Sequence, residues 1–212
     1  MATLYNNFWD LMNKGGYVMW PLLLLSLISM TLCFERCWFW LQTNRPGRLV
    51  WIRRVCSLLR AGKTAEAAKM AREDASVYGQ AVVAMLSETY SDALAVEAVE
   101  SQRGRLDRFM PTLSTIITAA PMLGILGTVT GIISSFQVLS TQMATTDPRG
   151  VSTGIAEALL TTVAGLVVAL FTLFFFSAFS AQVDRTLGRL ETIIASAARA
   201  SVVKAEKPDT PA

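Results

Sequence analysis

Residues 111–139 read PTLSTIITAAPMLGILGTVTGIISSFQVL, and this stretch decides the fold. It has no ionisable side chain, and it is longer than the ~20 apolar residues that a helix needs to cross a bilayer. We therefore predict a transmembrane helix. Its small residues share a stripe of about 60° on a helical wheel. They are Ala120, Gly124, Gly127 and Gly131. Because small residues let helices approach closely in lipid, the stripe predicts a helix-packing surface.

Two features beside the stripe strengthen this prediction. Thr128 and Ser135 lie on its flank, and Pro121 removes a backbone donor in mid-helix, which predicts a kink. A plain membrane anchor that is rich in glycine is the simpler alternative, but three glycines on one face next to hydroxyl groups favour packing. A phosphate-binding loop is excluded, because no Gly-Lys-Ser/Thr sequence follows the glycines.

The composition is typical of a membrane protein. Of the 212 residues, 52% are hydrophobic and only 17% are charged, against about 25% charged in soluble domains. The chain has no histidine, which removes the commonest general base and metal ligand. Its three cysteines show no disulfide or zinc spacing. We therefore expect no enzymatic activity, no metal site and no cofactor.

Two more stretches can cross a bilayer, so the predicted fold is all-α. They are residues 17–41, with tryptophans near both ends, and residues 153–182. The architecture that follows is a three-span membrane helical bundle with long helices extending into the cytoplasm. The third helix continues with apolar residues at a spacing of three and four, and the tail from Lys204 is predicted to be disordered.

Charge distribution predicts the orientation. Residues 42–110 carry eleven Lys or Arg, against Lys14 and Arg149 in the other connecting segments. By the positive-inside rule this middle region is cytoplasmic, which is a better explanation of its charge than nucleic-acid binding. The predicted boundaries are a periplasmic amphipathic segment at 1–16, membrane helices at 17–41, 111–139 and 153–182, a cytoplasmic helical region at 42–110, a periplasmic loop at 140–152, and a cytoplasmic helix with its disordered tail at 183–212. The helical run at 92–110 is expected to join the membrane helix beyond it.

The third span carries the one ionisable residue that is clearly inside a membrane helix, Glu157. It shares a small and polar face of about 140° with several other residues. They are Gly154, Ala158, Thr161, Thr162, Gly165, Ala169 and Thr172. A charge in a span is costly, so this face predicts a polar pathway or a polar partner helix. The alternative is that Glu157 only reaches the headgroups. At the inner boundary, Glu35 and Arg36 are either a solvated pair or a structural ion pair.

Two motifs in this order resemble the MotA/TolQ/ExbB family of proton-channel subunits. They are APMLGILGTVTG at 120–131 and GIAEALLTTVAGL at 154–166, and GYVM at 16–19 and Glu35-Arg36 around the first span are also similar. Three spans with one cytoplasmic insertion resemble ExbB or TolQ, since MotA has four spans. By this resemblance Thr128 and Thr162 match pore-lining threonines, and Glu157 matches a glutamate near the periplasmic end of the pore.

The resemblance also implies an assembly. It is a homopentamer in the bacterial inner membrane around a dimer of a single-span ExbD/TolR-like protein, whose membrane aspartate carries the proton. Such a subunit is the proton-channel or stator part of a motor that drives TonB-dependent outer-membrane transport through a TonB-like protein. A TolQ-like role in outer-membrane integrity and a non-conducting membrane scaffold are the alternatives. The expected contacts are membrane lipid and protein, with no nucleic acid.

Overall fold

The described part of the chain is helical almost throughout. A computed structural model describes residues 12, 16–86, 91–141 and 148–206. A 3-10 turn at Gly16–Val18 precedes seven α-helices. They are α1 (Met19–Thr43), α2 (Arg48–Arg60), α3 (Thr64–Arg72), α4 (Val77–Leu86), α5 (Asp92–Leu106), α6 (Met110–Thr141) and α7 (Pro148–Glu206). No strand occurs among these described residues, so the predicted all-α fold is confirmed.

Three of these helices are long and apolar enough to cross a membrane. The candidate spans are Gly16–Thr43, Met110–Gln137 and Gly154–Arg199, which lie in or extend α1, α6 and α7. The chain is therefore a multi-pass membrane protein, as its sequence predicted. The sidedness of the connecting segments and the domain boundaries stay predictions.

The chain divides into two compact units. The membrane unit comprises Met1–Glu35 and Phe109–Ala178, and the polar unit comprises Arg36–Arg108 and Phe179–Ala212. The amphipathic segment predicted at 1–16 lies outside the described residues except for Met12 and Gly16, and so do residues 142–147 of the predicted loop at 140–152. α7 reaches Glu206, so the beginning of the tail that was predicted to be disordered is helical, and residues 207–212 are not described.

Inside the membrane unit, apolar packing joins the first span to the other two. Buried residues of α1, α6 and α7, together with Met12, form one cluster. Its members are Met12, Met19, Leu22, Ala120 and Ala169. Near it, the hydroxyl groups of Ser29 in α1 and Thr172 in α7 form a buried hydrogen bond of 2.6 Å. Both side chains thus satisfy their polar atoms within the protein, as a low-dielectric surrounding requires.

The polar unit has a core of its own around Tyr78. This side chain is fully buried in α4, and its hydroxyl donates to Thr186 of α7 at 3.3 Å. Arg189 of α7 donates to the same phenol oxygen and to Asn44. The buried aliphatic residues around this network are Val55, Leu59, Val77, Val82, Met85, Leu106, Leu190 and Ile193. The unit is therefore held by hydrocarbon burial together with a small satisfied polar network.

The prediction that the run at 92–110 continues into the second span is wrong. α5 ends at Leu106, Phe109 takes a positive φ of 66°, and α6 begins anew at Met110. The physical reason is Pro111, whose ring would clash with the carbonyl of residue 107 in a continuous helix but is tolerated in a first turn. By contrast, α6 continues through Pro121, and the kink expected there stays a prediction.

Gly79 should be required for the stability of the polar unit. A Cβ at this position would lie 2.7 Å from the carbonyl oxygen of Ala71 and closer still to that of Asp74. We expect Gly79→Ala to lower the free energy of unfolding by about 1–3 kcal/mol, measured as a lower thermal midpoint in detergent.

The matched control is Gly104→Ala in α5. A Cβ there would meet no atom within 4 Å, so this change should raise stability by about 0.5–1 kcal/mol because alanine favours a helix. Equal shifts of the midpoint in the two variants would contradict the packing argument.

Candidate functional site

The small-residue stripe of α6 lies directly against α7. A Cβ on Gly124 would come within 2.9 Å of the carbonyl oxygen of Thr161 and of the Cα of Thr162. On the facing helix, a Cβ on Gly165 would lie 3.2 Å from the Cα of Gly124. Ala120, one turn away on the stripe, is completely buried. Only the smallest side chains allow the two backbones to approach this closely.

The same close contact continues along both helices. A Cβ on Gly131 would lie 3.3 Å from the Cα of Ala158, and Gly154 faces the buried Ser135 near the far end of α6. Gly127 is likewise covered, by the side chain of Thr161. Each glycine of the two motifs thus lies at the contact between α6 and α7 of one chain.

Three threonine hydroxyls gather where the backbones are closest. Thr128 and Thr162 form a hydrogen bond with each other across the two helices. Thr161 donates to the carbonyl oxygens of Ala158 at 2.7 Å and of Gly124 at 3.0 Å. The Gly124 carbonyl also lies 3.1 Å from the hydroxyl oxygens of both Thr128 and Thr162. We call Thr128 and Thr162 the threonine pair.

The threonine pair has more acceptors than protons. Each hydroxyl has one proton and can accept through its lone pairs, and the acceptors within reach are the Gly124 and Ala158 carbonyls and the other hydroxyl. Either hydroxyl can therefore donate a hydrogen bond to the other hydroxyl or to a carbonyl oxygen with little movement. Such a pair can donate to an approaching carboxylate and, after rotation, accept from a carboxylic acid.

Accessibility separates the pair from the third threonine. Thr161 is 1% exposed, so its hydroxyl is enclosed between α6 and α7. Thr128 and Thr162 are only half-buried. Thr161 was predicted to line the pathway together with the pair. In the single chain its side chain is buried between α6 and α7, and its role in the pathway stays a prediction.

Glu157 is half-buried and forms no hydrogen bond or ion pair with any residue in the described ranges. On α7 it lies about 140° around the helix and ~7.5 Å along the axis from Thr162. The single chain therefore does not bring its carboxyl group into contact with the threonine pair. A group from outside the chain has to connect them if they act together.

The site contains no metal-binding constellation within the described residues. No group of three or more His, Cys, Asp or Glu comes together there. The chemistry that the site offers is therefore hydrogen bonding by hydroxyls and one carboxyl group in a packed pair of apolar helices.

Sequence comparison assigns this architecture to a family. The model described as the MotA/TolQ/ExbB proton channel family matches residues 64–192, which is more than half of the chain. The chain belongs to this family. The match includes the whole of α6 and both motifs, so the packed glycines and the threonine pair lie within the family-defining region.

Individual relatives point in the same direction. The chain is 39% identical to ExbB-like 1, a biopolymer transport protein of Synechocystis sp., over 77% of its own length and 66% of that protein. It is 38% identical to ExbB-like 3 of the same organism, over 78% of the chain and 81% of that protein. It is also 38% identical to the Tol-Pal system protein TolQ of Pseudomonas aeruginosa, over 45% of the chain and 41% of TolQ.

Arg36, predicted at the inner boundary, has a defined structural role in this member of the family. It is 1% exposed, and its guanidinium group donates to the carbonyl oxygens of Arg105 at 3.1 Å and Leu106 at 3.2 Å. These carbonyls belong to the last turn of α5, where they have no partner within the helix. Glu35, next to it in sequence, is exposed. Arg36 thus caps the C-terminal end of α5 by binding its free carbonyl oxygens within the polar unit.

Two of these contacts are not predicted by the sequence patterns described above. Ser29 lies in a leucine-rich span, where a hydroxyl among leucines is itself a signal that a polar partner is needed. The carbonyls that Arg36 binds are backbone groups, which no side-chain pattern reveals.

Replacing the buried Thr161 should test the packing of α6 on α7. Thr161→Val keeps the shape of the side chain but removes the donor to the Gly124 and Ala158 carbonyls. We expect a loss of about 1–2 kcal/mol, seen as a lower thermal midpoint of the purified protein.

The control is Thr130→Val in α6, where an exposed hydroxyl only bonds carbonyls of its own helix. This change should leave the thermal midpoint nearly unaltered. The packing role would be wrong if the two substitutions shifted the midpoint equally.

Proposed function

We propose that this chain is a proton-channel and stator subunit of an ExbB–ExbD-type motor that converts the proton motive force into mechanical work. The threonine pair is the observation that supports this proposal. It offers two reorientable hydroxyls on half-buried residues, in membrane-spanning segments (110–141 and 154–181) whose one ionisable residue is Glu157. Its chemistry suits transient contact with a group that is protonated and deprotonated in turn.

The carrier of the proton has to come from a second protein. α6 contains no ionisable residue, and Glu157 and the threonines do not form a connected relay in one chain. We propose that a dimer of a single-span ExbD/TolR-like protein supplies an aspartate in mid-membrane. When it is ionised, the hydroxyls of Thr128 and Thr162 donate to it, and when it is protonated they accept from it.

Glu157 has the position of an entry group in this scheme. It lies in the first part of α7 and shares no hydrogen bond or ion pair with the described residues, so its carboxyl group is open to an external partner or to water. With the charged region 42–110 in the cytoplasm, this end of α7 faces the periplasm. Protons would then pass from Glu157 to the partner's aspartate and leave on the cytoplasmic side.

The exposed surface of the membrane unit is suited to an oligomer in lipid. Large apolar side chains cover the outer sides of all three long helices: Leu24, Leu27 and Phe34 in α1, Met122 and Ile125 in α6, and Val163, Val167 and Leu170 in α7. We propose that copies of the chain, five in the full ring, bury part of this surface against each other and the rest in membrane lipid. The threonine pair would then face the ring centre.

Energetics set what the motor can do. One proton that crosses a potential of 100 mV releases about 2.3 kcal/mol, so several protons are needed for substantial mechanical work. We propose that this work reaches a TonB-like protein and serves TonB-dependent outer-membrane transport. The similarity to two ExbB-like biopolymer transport proteins, over 77% and 78% of the chain, supports this role.

A TolQ-like role in outer-membrane integrity is the second candidate. The similarity to the Tol-Pal system protein TolQ favours it, although that similarity extends over less than half of the chain. The two roles differ in the partner. Mass measurement of the complex that is purified with its neighbouring single-span protein would identify the partner and the number of copies together.

Thr162→Val should abolish proton transfer without disassembling the complex. Valine matches threonine in shape but removes one hydroxyl of the pair, so the carrier loses a donor and acceptor. We expect proton flux into liposomes that contain the complex with its partner to fall at least tenfold. Complex size and partner content should stay unchanged.

Thr130→Val is the matched control, because its hydroxyl points away from the pair and bonds its own helix. Normal flux is expected there. Normal flux in Thr162→Val would favour a non-conducting scaffold, and loss of the complex would mean that the pair acts in assembly.

Glu157→Gln should also lower proton flux, because the amide cannot take up and release a proton. The flux should fall more steeply at low proton concentration, where capture at the entry limits the rate. Glu191→Gln, on an exposed position of α7 in the polar unit, is the control and should conduct normally. If Glu157→Gln conducted as well as Glu191→Gln, Glu157 would only contact headgroups.

A further inference from the structure

The helix after the first membrane span lies in a stretch of sequence that has no acidic residue. α2 follows α1 after the short turn 44–47. From Arg36 to Ala65 the sequence has seven cations and neither Asp nor Glu. The cations are Arg36, Arg45, Arg48, Arg53, Arg54, Arg60 and Lys63. Arg36 and Arg48 are engaged inside the polar unit, by the end of α5 and by Asp74, and Lys63 pairs with Glu66.

α2 has two distinct faces. One face packs into the polar unit through four buried residues: Ile52, Val55, Cys56 and Leu59. The opposite face is exposed and covers an arc of about 140°. Its residues are Leu49, Val50, Arg53, Arg54, Ser57 and Arg60. We call this surface the α2 outer face.

The α2 outer face combines exposed hydrocarbon with exposed cations. Leu49 is 52% and Val50 is 68% exposed, although both are aliphatic. The guanidinium groups of Arg53, Arg54 and Arg60 form no ion pair or hydrogen bond with any described residue. Apolar and basic side chains on one face, without acidic ones, are typical of a helix that lies in a membrane interface.

Chain length keeps this face close to the bilayer. At most ~3.5 Å per residue, the turn 44–47 allows the start of α2 to lie no more than ~18 Å from the end of α1. α1 is a candidate span whose last turns carry the exposed Trp38, an aromatic residue of the kind that marks an interface. The α2 outer face thus begins no more than ~18 Å from the end of a membrane-spanning helix.

We propose that the α2 outer face docks onto anionic phospholipid headgroups, with the arginines on phosphate oxygens and Leu49 and Val50 at the headgroup–acyl boundary. A topology signal requires only the cations and leaves the exposed aliphatic residues on the same face unexplained. A protein occupant would have to bring a patch of acidic side chains, whereas the proposed cytoplasmic position of residues 42–110 puts this face on the side of the anionic leaflet.

The arginines set how strongly the docking depends on lipid charge. One Arg close to an anionic surface contributes about fivefold to the binding equilibrium. Removing Arg53 and Arg54 together should therefore shift the equilibrium between docked and undocked α2 by about thirtyfold. The attraction is electrostatic, so it should also weaken as salt shortens the Debye length.

The test measures how deeply α2 lies in the membrane. A spin label is attached to Val50→Cys in the full-length chain, with Cys33, Cys37 and Cys56 replaced by alanine, and the protein is placed in nanodiscs. The discs contain either phosphatidylcholine alone or phosphatidylcholine with phosphatidylglycerol. Collision with oxygen, which concentrates in lipid, is compared with collision with a nickel chelate, which stays in water. Because both leaflets are identical, the test does not depend on the proposed orientation or on proton transfer.

We expect the label to become rich in oxygen contacts and protected from nickel in the anionic discs only. Raising the salt from ~0.05 M to ~1 M should reverse this protection. Arg53→Gln with Arg54→Gln should lose it, whereas Lys69→Gln with Arg72→Gln on the exposed side of α3 should keep it.

Four results would overturn the proposal. The label could be equally water-exposed in both discs, or equally deep in both, so that anionic lipid makes no difference. It could be shielded from both probes in both discs, which would mean that protein covers the face. The α3 variant could lose protection as completely as the α2 variant. If the α2 variant does not fold, the salt dependence of the labelled protein that keeps Arg53 and Arg54 still tests the proposal.

Discussion

The close approach of α6 and α7 is the constraint on which the rest of the structure depends. In lipid no hydrophobic effect presses two helices together, so contact has to come from backbones that touch and polar groups that are satisfied. Gly124 meets both needs, since it leaves room for the backbone of α7 and its carbonyl lies within reach of three threonine hydroxyls. The same residue thus fixes the helix spacing and positions the threonine pair.

The packing of α6 on α7 also separates two neighbouring threonines. Thr161 and Thr162 are adjacent in sequence but differ by about 100° around the helix. The first is enclosed between the helices, and the second is only half-buried. Close packing around the half-buried side chain holds its hydroxyl at a defined place, which the proposed contact with a proton carrier requires.

The membrane spans and the contact face of α6 could be predicted from the sequence, because the apolar stretches and the glycine pattern extend over many residues. The three spans follow from apolar length, and the helical wheel places Gly124, Gly127 and Gly131 on the side that meets α7. The wheel could not separate Thr161 from Thr162, since both lie on the polar face and only the position of α6 decides which one is covered. It also could not reveal the end of α5, where the backbone around Phe109 turns and Arg36 binds carbonyl oxygens.

The hydroxyls of α6 also bear on biogenesis. Thr128, Thr130 and Ser135 each donate to a carbonyl of the preceding turn, and no residue of this helix carries a charge. A translocon can therefore release α6 into the bilayer as an ordinary apolar segment, before any other polypeptide arrives to receive its polar groups. If the proposed function is correct, hydroxyl groups in place of ionised residues let each chain mature alone and become active only after it joins its partners.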